Sequence, residues 1–217
     1  MTIDVIILSN GKTPELIEMT QKCIDSCHDS ETEHEFWIKV FEQTEHEYES
    51  AETINYDCPF HYNKLMNIGI ALTKHEWICL CNNDLIFHKG WLTECLKYKD
   101  KYMSMCPDEF NYGGEPEEGY KVGQRGQFKG QCILTNRKLY DIIGKIDESV
   151  NFHCSDHVMV DQIKKAGIKH ALIKDAYVEH LVHATLKTCS GEEKIHYCDE
   201  QSRIYSESLG EGKLIIK

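Results

Sequence analysis

No apolar run in this chain reaches the roughly 20 residues that a membrane-spanning helix requires. Its opening Met1-Thr2-Ile3-Asp4 has neither the basic start nor the apolar body of a signal peptide. A cytoplasmic protein without a membrane span is the expectation. Basic residues are few, 24 Lys and Arg against 36 Asp and Glu, which leaves a formal charge of −12. This balance argues against a broad phosphate-tracking surface, because nonspecific nucleic-acid binding neutralises many phosphates with Lys and Arg. A local basic groove stays compatible with it. No CxxC pair occurs among the eleven cysteines, so the spacing of a zinc ribbon or a thioredoxin motif is missing. Cys23 and Cys27 lie one helical turn apart, Cys79 and Cys81 share a strand face, and Cys95, Cys106 and Cys132 fall in apolar patterns. They read as reduced core thiols.

At 217 residues the chain suits one domain, 1–217, with a core that needs no staple, and 184–217 reads as a peripheral polar tail. Its organising stretch is Trp77 to Asp84. Trp77-Ile78-Cys79-Leu80-Cys81 is a continuous apolar run, the pattern of a strand covered on both faces. It ends in Asn82, Asn83 and Asp84, and the carboxyl ends of parallel strands are where open α/β sheets bind ligands. The same tripeptide also suits a plain turn.

Upstream, Val5 to Leu8 is a second buried run followed by Ser9, Asn10 and Gly11, and Thr13-Pro14 caps a helix carrying Leu16, Met19, Cys23 and Cys27. Phe36 to Phe41 reads as a strand ending at Glu42, followed by an acidic irregular segment. Leu65, Ile68, Gly69 and Leu72 mark a helical face. Downstream come a helix from Trp91, a short strand at Met103 to Cys106, and a glycine-rich aperiodic loop from Asp108 to Phe128. Loops this long are usually functional. A strand at Gln131 to Thr135, a helix at Arg137 to Ile143, a helix capped by Ser155-Asp156, and short strands at Ala171 to Ile173 and Tyr177-Val178 complete the order. The acidic stretches Glu31 to Glu52 and Glu109 to Glu118 read as solvated surface. The alternation predicts an α/β fold with a mostly parallel central sheet and helices on both faces.

This order of features resembles the GT-A fold glycosyltransferases, in particular the large inverting group called family 2. The resemblance rests on VIILSN at Val5 to Asn10, VFEQ around Glu42, and YNKLMNIGIAL at Tyr62 to Leu72. Further matches are CNND at Cys81 to Asp84, then Gly130, Arg137, Gly144, Asp147-Glu148, Asp156, Gly167 and His180. It covers the chain to about His183, and Asn82 and Ser155 stand where the family usually has carboxylates. The resemblance implies an inverting transferase that takes sugar from a nucleotide-diphosphate donor, UDP-type favoured. It also implies a divalent cation, Mn²⁺ or Mg²⁺, at Asp84 with His180 as second ligand and His183 as its rival. Asp156 would be the general base. Ser9, Asn10, Glu42, Asn63, Asn82 and Asn83 would hold the nucleotide sugar, and Arg125 the phosphate from a lid formed by Asp108 to Phe128.

The residues leave other readings open. Ser155-Asp156 is also a good helix N-cap. His180 also fits as an ordinary core or surface histidine, and Ser9, Asn10 and Glu42 as plain surface. The acceptor stays open between a glycan, a small molecule and, for a viral chain in a host cytoplasm, a modified DNA base. Two other functions remain: a nucleotide-sugar-binding domain without activity, and a sugar-nucleotide pyrophosphorylase, for which SNGKTPE supplies only Gly11 and Lys12 of the glycine-rich basic loop required.

Overall fold

A computed structural model describes residues 1–181 and 195–210. The chain opens with β1 (Thr2–Ser9), buried on both faces along its apolar run, and α1 (Pro14–Asp29). Thr13 is the N-cap of α1, its hydroxyl accepting from Leu16 N at 3.4 Å, with Pro14 preset in the first turn. Next come β2 (Glu35–Glu42), β3 (Glu52–Asn55), α2 (Tyr62–Leu72), β4 (Trp77–Asn82) and β5 (Leu85–Phe87). The sequence continues with α3 (Trp91–Leu96), β6 (Ser104–Asp108), β7 (Glu117–Glu118), β8 (Cys132–Asn136), α4 (Lys138–Ile143), α5 (Ser155–Lys165) and β9 (His170–His180). A π-helical turn (Ile195–Glu200) leads into α6 (Gln201–Gly210).

The strands form one sheet in the order β3-β2-β1-β4-β8-β6-β9-β5, with β7 on β9. β3, β2, β1 and β4 run parallel, and β8 enters antiparallel between β4 and β6. One face packs against Cys23, Ile24 and Cys27 of α1 and Trp91, Leu92 and Cys95 of α3. The other packs against Leu65 and Met66 of α2, Leu139 and Ile143 of α4, and Met159, Val160 and Ile163 of α5. Such a strand run, apolar at every position, fits a sheet covered on both sides. All cysteines among the described residues are free thiols, eight of them buried. Among the described residues no helix is long and apolar enough to cross a membrane.

Four expectations change. The segment after Glu42 holds β3, a half-exposed edge strand whose acidic residues hide the pattern. On α2 the inward face is Asn63, Leu65, Met66, Asn67 and Gly69, while Ile68 and Leu72 are exposed. Gly69 sets this rotation, since a Cβ there would meet Ile6 at 2.8 Å, so the bare backbone lies on β1. The two C-terminal strands are one, β9, interrupted where its register with β6 jumps from Pro107↔Ile173 to Asp108↔Tyr177. Finally, the stretch read as a loose tail contains α6, tied to the body by Asn151 N donating to Gln201 Oε1 (2.8 Å) and Tyr205 OH donating to Asp161 (2.6 Å). Polar side chains made that attachment, so no apolar stripe announced it.

His170 locks β9 to β6 and to the loop before β8. Its Nδ1 lies 2.8 Å from Ser104 Oγ and its Nε2 lies 3.1 Å from the Gln127 carbonyl. A neutral ring satisfies both, accepting at Nδ1 and donating at Nε2. Burial pushes its pKa down to about 4. The unfolded chain takes up the proton near pH 6.5 and the folded chain does not, so this stability is complete above pH 6.5 and is lost as pH falls toward 4. Thermal melts at pH 7.5 and 5.0 should show a drop that His170→Gln reduces, by a slope of up to about 1.4 kcal/mol per pH unit. Parallel slopes for the two proteins would remove His170 as the cause.

Candidate active site

The carboxyl ends of β1 and β4 open into a cavity of about 820 Å³. Ser9, Asn10 and Lys12 line one side, Asn82, Asn83 and Asp84 the floor, and Gly130, Gln131 and Asp156 the other side. His180 and Glu109 also reach it, as does the turn Val122-Gly123-Gln124. This volume lies within the usual range for a small-molecule site.

Strand pairing builds the floor. After Asp84 the chain does not simply turn away: β5 pairs antiparallel with the end of β9, Leu85 opposite His180, and Leu181 N donates to the Asp84 carbonyl at 2.9 Å. The pairing puts Asp84 Oδ1 at 3.3 Å from His180 Nε2. Asp84 is buried, and its Oδ1 has no hydrogen-bond partner. An unsatisfied buried carboxylate oxygen costs on the order of 1–3 kcal/mol or more and calls for an explanation. A carboxylate oxygen facing an imidazole nitrogen is a donor pair that Mn²⁺ accepts. No group of three or more such ligands is preassembled among the described residues. Mg²⁺-like ions commonly complete their shell with water and substrate phosphate, so this pair fits one. His183 lies outside the described residues.

The β1 side is held by a polar network. Ser9 Oγ lies 3.0 Å from Thr20 Oγ1 and 2.9 Å from Tyr48 OH, which in turn donates to Glu42 Oε2 at 2.8 Å. Glu42 Oε1 accepts from Gly11 N at 2.9 Å and Thr44 N at 2.8 Å. Burial works to raise the Glu42 pKa, but these hydrogen bonds outweigh it and hold the carboxyl below its usual range. Glu42 is fully buried and outside the cavity wall. Where a ribose contact was expected, the carboxylate spends its acceptors on shaping the Ser9–Gly11 loop. Asn10 on that loop lines the cavity with a buried Oδ1 that has no partner.

Asn63 also lines the cavity but donates to the Asp147 carbonyl at 2.8 Å, while Asn67 brackets Ile146 through its N and O atoms at 2.9 and 2.8 Å. Asn83 donates to Thr20 Oγ1 at 2.9 Å, and Asn82 Oδ1 receives Tyr62 OH at 3.4 Å. Arg125 is exposed and outside the wall. Its loop is mostly pinned: β7 pairs with β9, and Tyr120 OH donates to the Ile168 carbonyl at 2.8 Å. From the expected lid, Glu109 and the Val122 to Gln124 turn reach the cavity.

Asp156 stands in the first turn of α5, not at its cap. The N-cap is Cys154, in left-handed backbone (φ 68°), without a side-chain cap bond. Ser155 Oγ turns back to the Phe152 carbonyl. Asp156 Oδ1 accepts from His157 N at 2.9 Å and lies 3.0 Å from His157 Nδ1. The hydrogen bond to Asp156 raises the His157 pKa. Tyr205 of α6 packs against that ring with centroids 5.5 Å apart.

Glu109 and Lys129 carry no sequence signal and matter here. Glu109, expected on a solvated surface, has a buried side chain, with Oε1 at 2.9 Å from the Lys129 ammonium and Oε2 at 3.9 Å from His180 Nδ1. Lys129 also donates to the Gln124 carbonyl, so one buried cation joins the cavity turn to the Glu109–His180 side.

No protein-family model matches the chain, and no curated protein matches it in sequence. Solved structures do match. S. aureus TarS superposes with a TM-score of 0.56 at 13% identity, over 83% of this chain and 60% of that one. Drosophila beta-1,4-galactosyltransferase 7, a mutant in complex with manganese, UDP-Gal and xylobiose, superposes with a TM-score of 0.55 at 11% identity, over 90% of this chain and 79% of that one. The fold is GT-A. This chain thus spans about 60% of the TarS chain. Within the GT-A sheet, Asp84 and Asp156 face one cavity from the β4 end and from α5.

Gly130 is what lets Asp156 lie there. A Cβ on Gly130 would sit 2.7 Å from Asp156 Cβ and 2.8 Å from its Oδ2. Gly130→Ala should fold with stability lowered by about 1–3 kcal/mol and with Asp156 displaced, read by melting and by a crystal structure. An unchanged melt with Asp156 in place would show that the close approach is not tight.

Proposed function

We propose that the chain transfers a sugar from a nucleotide-diphosphate donor, UDP-type, to an acceptor hydroxyl with inversion and with the aid of a divalent cation. The observation that carries this reading is the buried Asp84 Oδ1, without a hydrogen bond and 3.3 Å from His180 Nε2, in the cavity that Asp156 also lines. Asp84 and His180 would hold Mn²⁺ or Mg²⁺. When bound, the cation neutralises charge that develops on the diphosphate oxygens as the glycosidic bond breaks. A GT-A neighbour solved with manganese and UDP-Gal supports the same donor class. Asn10 Oδ1, an acceptor without a donor, suits an imide N–H such as that of uracil.

Asp156 supplies the base. It lies in the first turn of an eleven-residue helix. His157 holds Oδ1, and Oδ2 lies beside Gly130. Asp156 takes the acceptor hydroxyl proton while that oxygen attacks the anomeric carbon, and the carbon–oxygen bond to the diphosphate breaks on the opposite face. One displacement inverts the centre. A glycan or a small molecule is the acceptor in this reading, and the xylobiose bound to the GT-A neighbour favours the glycan.

Two variants test it. Asp84→Ala should fold. In calorimetry it should lose the Mn²⁺-dependent part of UDP binding. Unchanged UDP affinity in Mn²⁺ removes Asp84 from the site. Asp156→Asn should bind UDP and Mn²⁺ normally and transfer sugar about 10²- to 10⁴-fold more slowly. Near-normal transfer would move the base elsewhere.

A further inference from the structure

The segment that follows Glu109 presents an aromatic pair at the surface. Tyr112 is 80% exposed and Phe110 40% exposed, yet their rings stack, with centroids 5.4 Å apart and planes 20° apart. Exposed apolar surface with an ordered arrangement marks a binding site more often than scattered single residues do. The turn that carries the pair is fixed at its far side, where Gly114 N donates to Asp175 Oδ1 at 2.9 Å. Asn111 and Gly113 both hold positive φ, 52° and 68°, which folds the backbone tightly between the rings and that anchor.

The pair also adjoins the cavity. Lys129 Nζ stands 5.1 Å from the Phe110 ring centroid and bonds Glu109 and the Gln124 carbonyl, both in the cavity wall. Phe110 is thus one contact from the wall, and Tyr112 extends the surface outward. We propose that Phe110 and Tyr112 form the platform for the acceptor, and that the acceptor is a saccharide whose ring lies on this aromatic surface. The C–H face of a pyranose is flat, slightly positive and apolar, the complement of the negative face of an aromatic ring. A charge of −12 over the chain favours such a neutral ring over a polyanion such as DNA. For the word acceptor, the inference rests on the transferase reading above.

The test uses the full chain with UDP and Mn²⁺ on an array of immobilised neutral oligosaccharides, beside single-stranded oligodeoxynucleotides. The parent should retain a subset of the glycans. Phe110→Ala/Tyr112→Ala should lose at least tenfold in retention while its stabilisation by UDP and Mn²⁺ stays unchanged. Tyr112→Phe, which keeps the ring, should retain glycans like the parent. Equal retention by parent and double variant overturns the proposal. So does a parent that binds UDP and retains no glycan, or one that prefers the oligodeoxynucleotide. The UDP arm reads the nucleotide site by itself. Glycan retention that depends on both rings in a chain that ignores UDP would therefore keep the platform and remove the transferase reading.

Discussion

The pairing of β5 with the end of β9 is the contact on which the cavity depends. Three residues of β5 suffice to return the chain after Asp84 along His180, so that a carboxylate from the middle of the sequence meets an imidazole from the end of the last strand. The ladder fixes backbone position but leaves Asp84 Oδ1 without a hydrogen bond, which a fold optimised for stability alone would not retain. Strain and unsatisfied polar groups persist where the surrounding structure holds them, and binding sites are where they cluster. Here the holding structure is visible: Lys129, Glu109 and Gln131 on one side, Ser9, Thr20 and Asn83 on the other.

The polar residues around the cavity divide into two kinds. Glu42, Ser9, Asn63 and Asn83 have protein partners and set backbone positions. Asp84, Asn10 and Asp156 keep acceptor capacity toward the cavity or beside it. Position at a strand end therefore does not separate a ligand contact from a brace. The balance of donors and acceptors does, because a buried carboxylate with three protein donors has little left to offer a ligand.

That division explains which parts were legible in the sequence. The buried strands β1, β2 and β4 and the cap of α1 follow from continuous apolar runs and from Thr13-Pro14, local signals that tertiary contacts reinforce. Asp84 stands out by its place after a strand and Asp156 by the family resemblance, and both line one cavity. β3, β5 and β7 were missed because short strands carry too few residues for a period of two. Glu109 and Lys129 were hidden because each is buried by virtue of the other, and pairing across twenty residues leaves no pattern in composition. Glu42 sat at the expected strand end, but Tyr48, the residue that occupies it, belongs to a segment read only as acidic and irregular. The docking of α6 beside His157 was masked for the same reason, since Gln201 and Tyr205 attach through polar atoms.

The central claim is that one cavity holds a cation at Asp84 and a nucleotide diphosphate against it, with Asp156 across the space. Its most direct test is a crystal structure grown with UDP and Mn²⁺, with anomalous scattering used to place the metal. The account predicts a manganese peak bonded to Asp84, with His180 as its nitrogen ligand, the diphosphate oxygens completing the shell and the uracil near Asn10. A peak elsewhere on the chain, or UDP seated away from Asp84 in a crystal saturated with both, would contradict it.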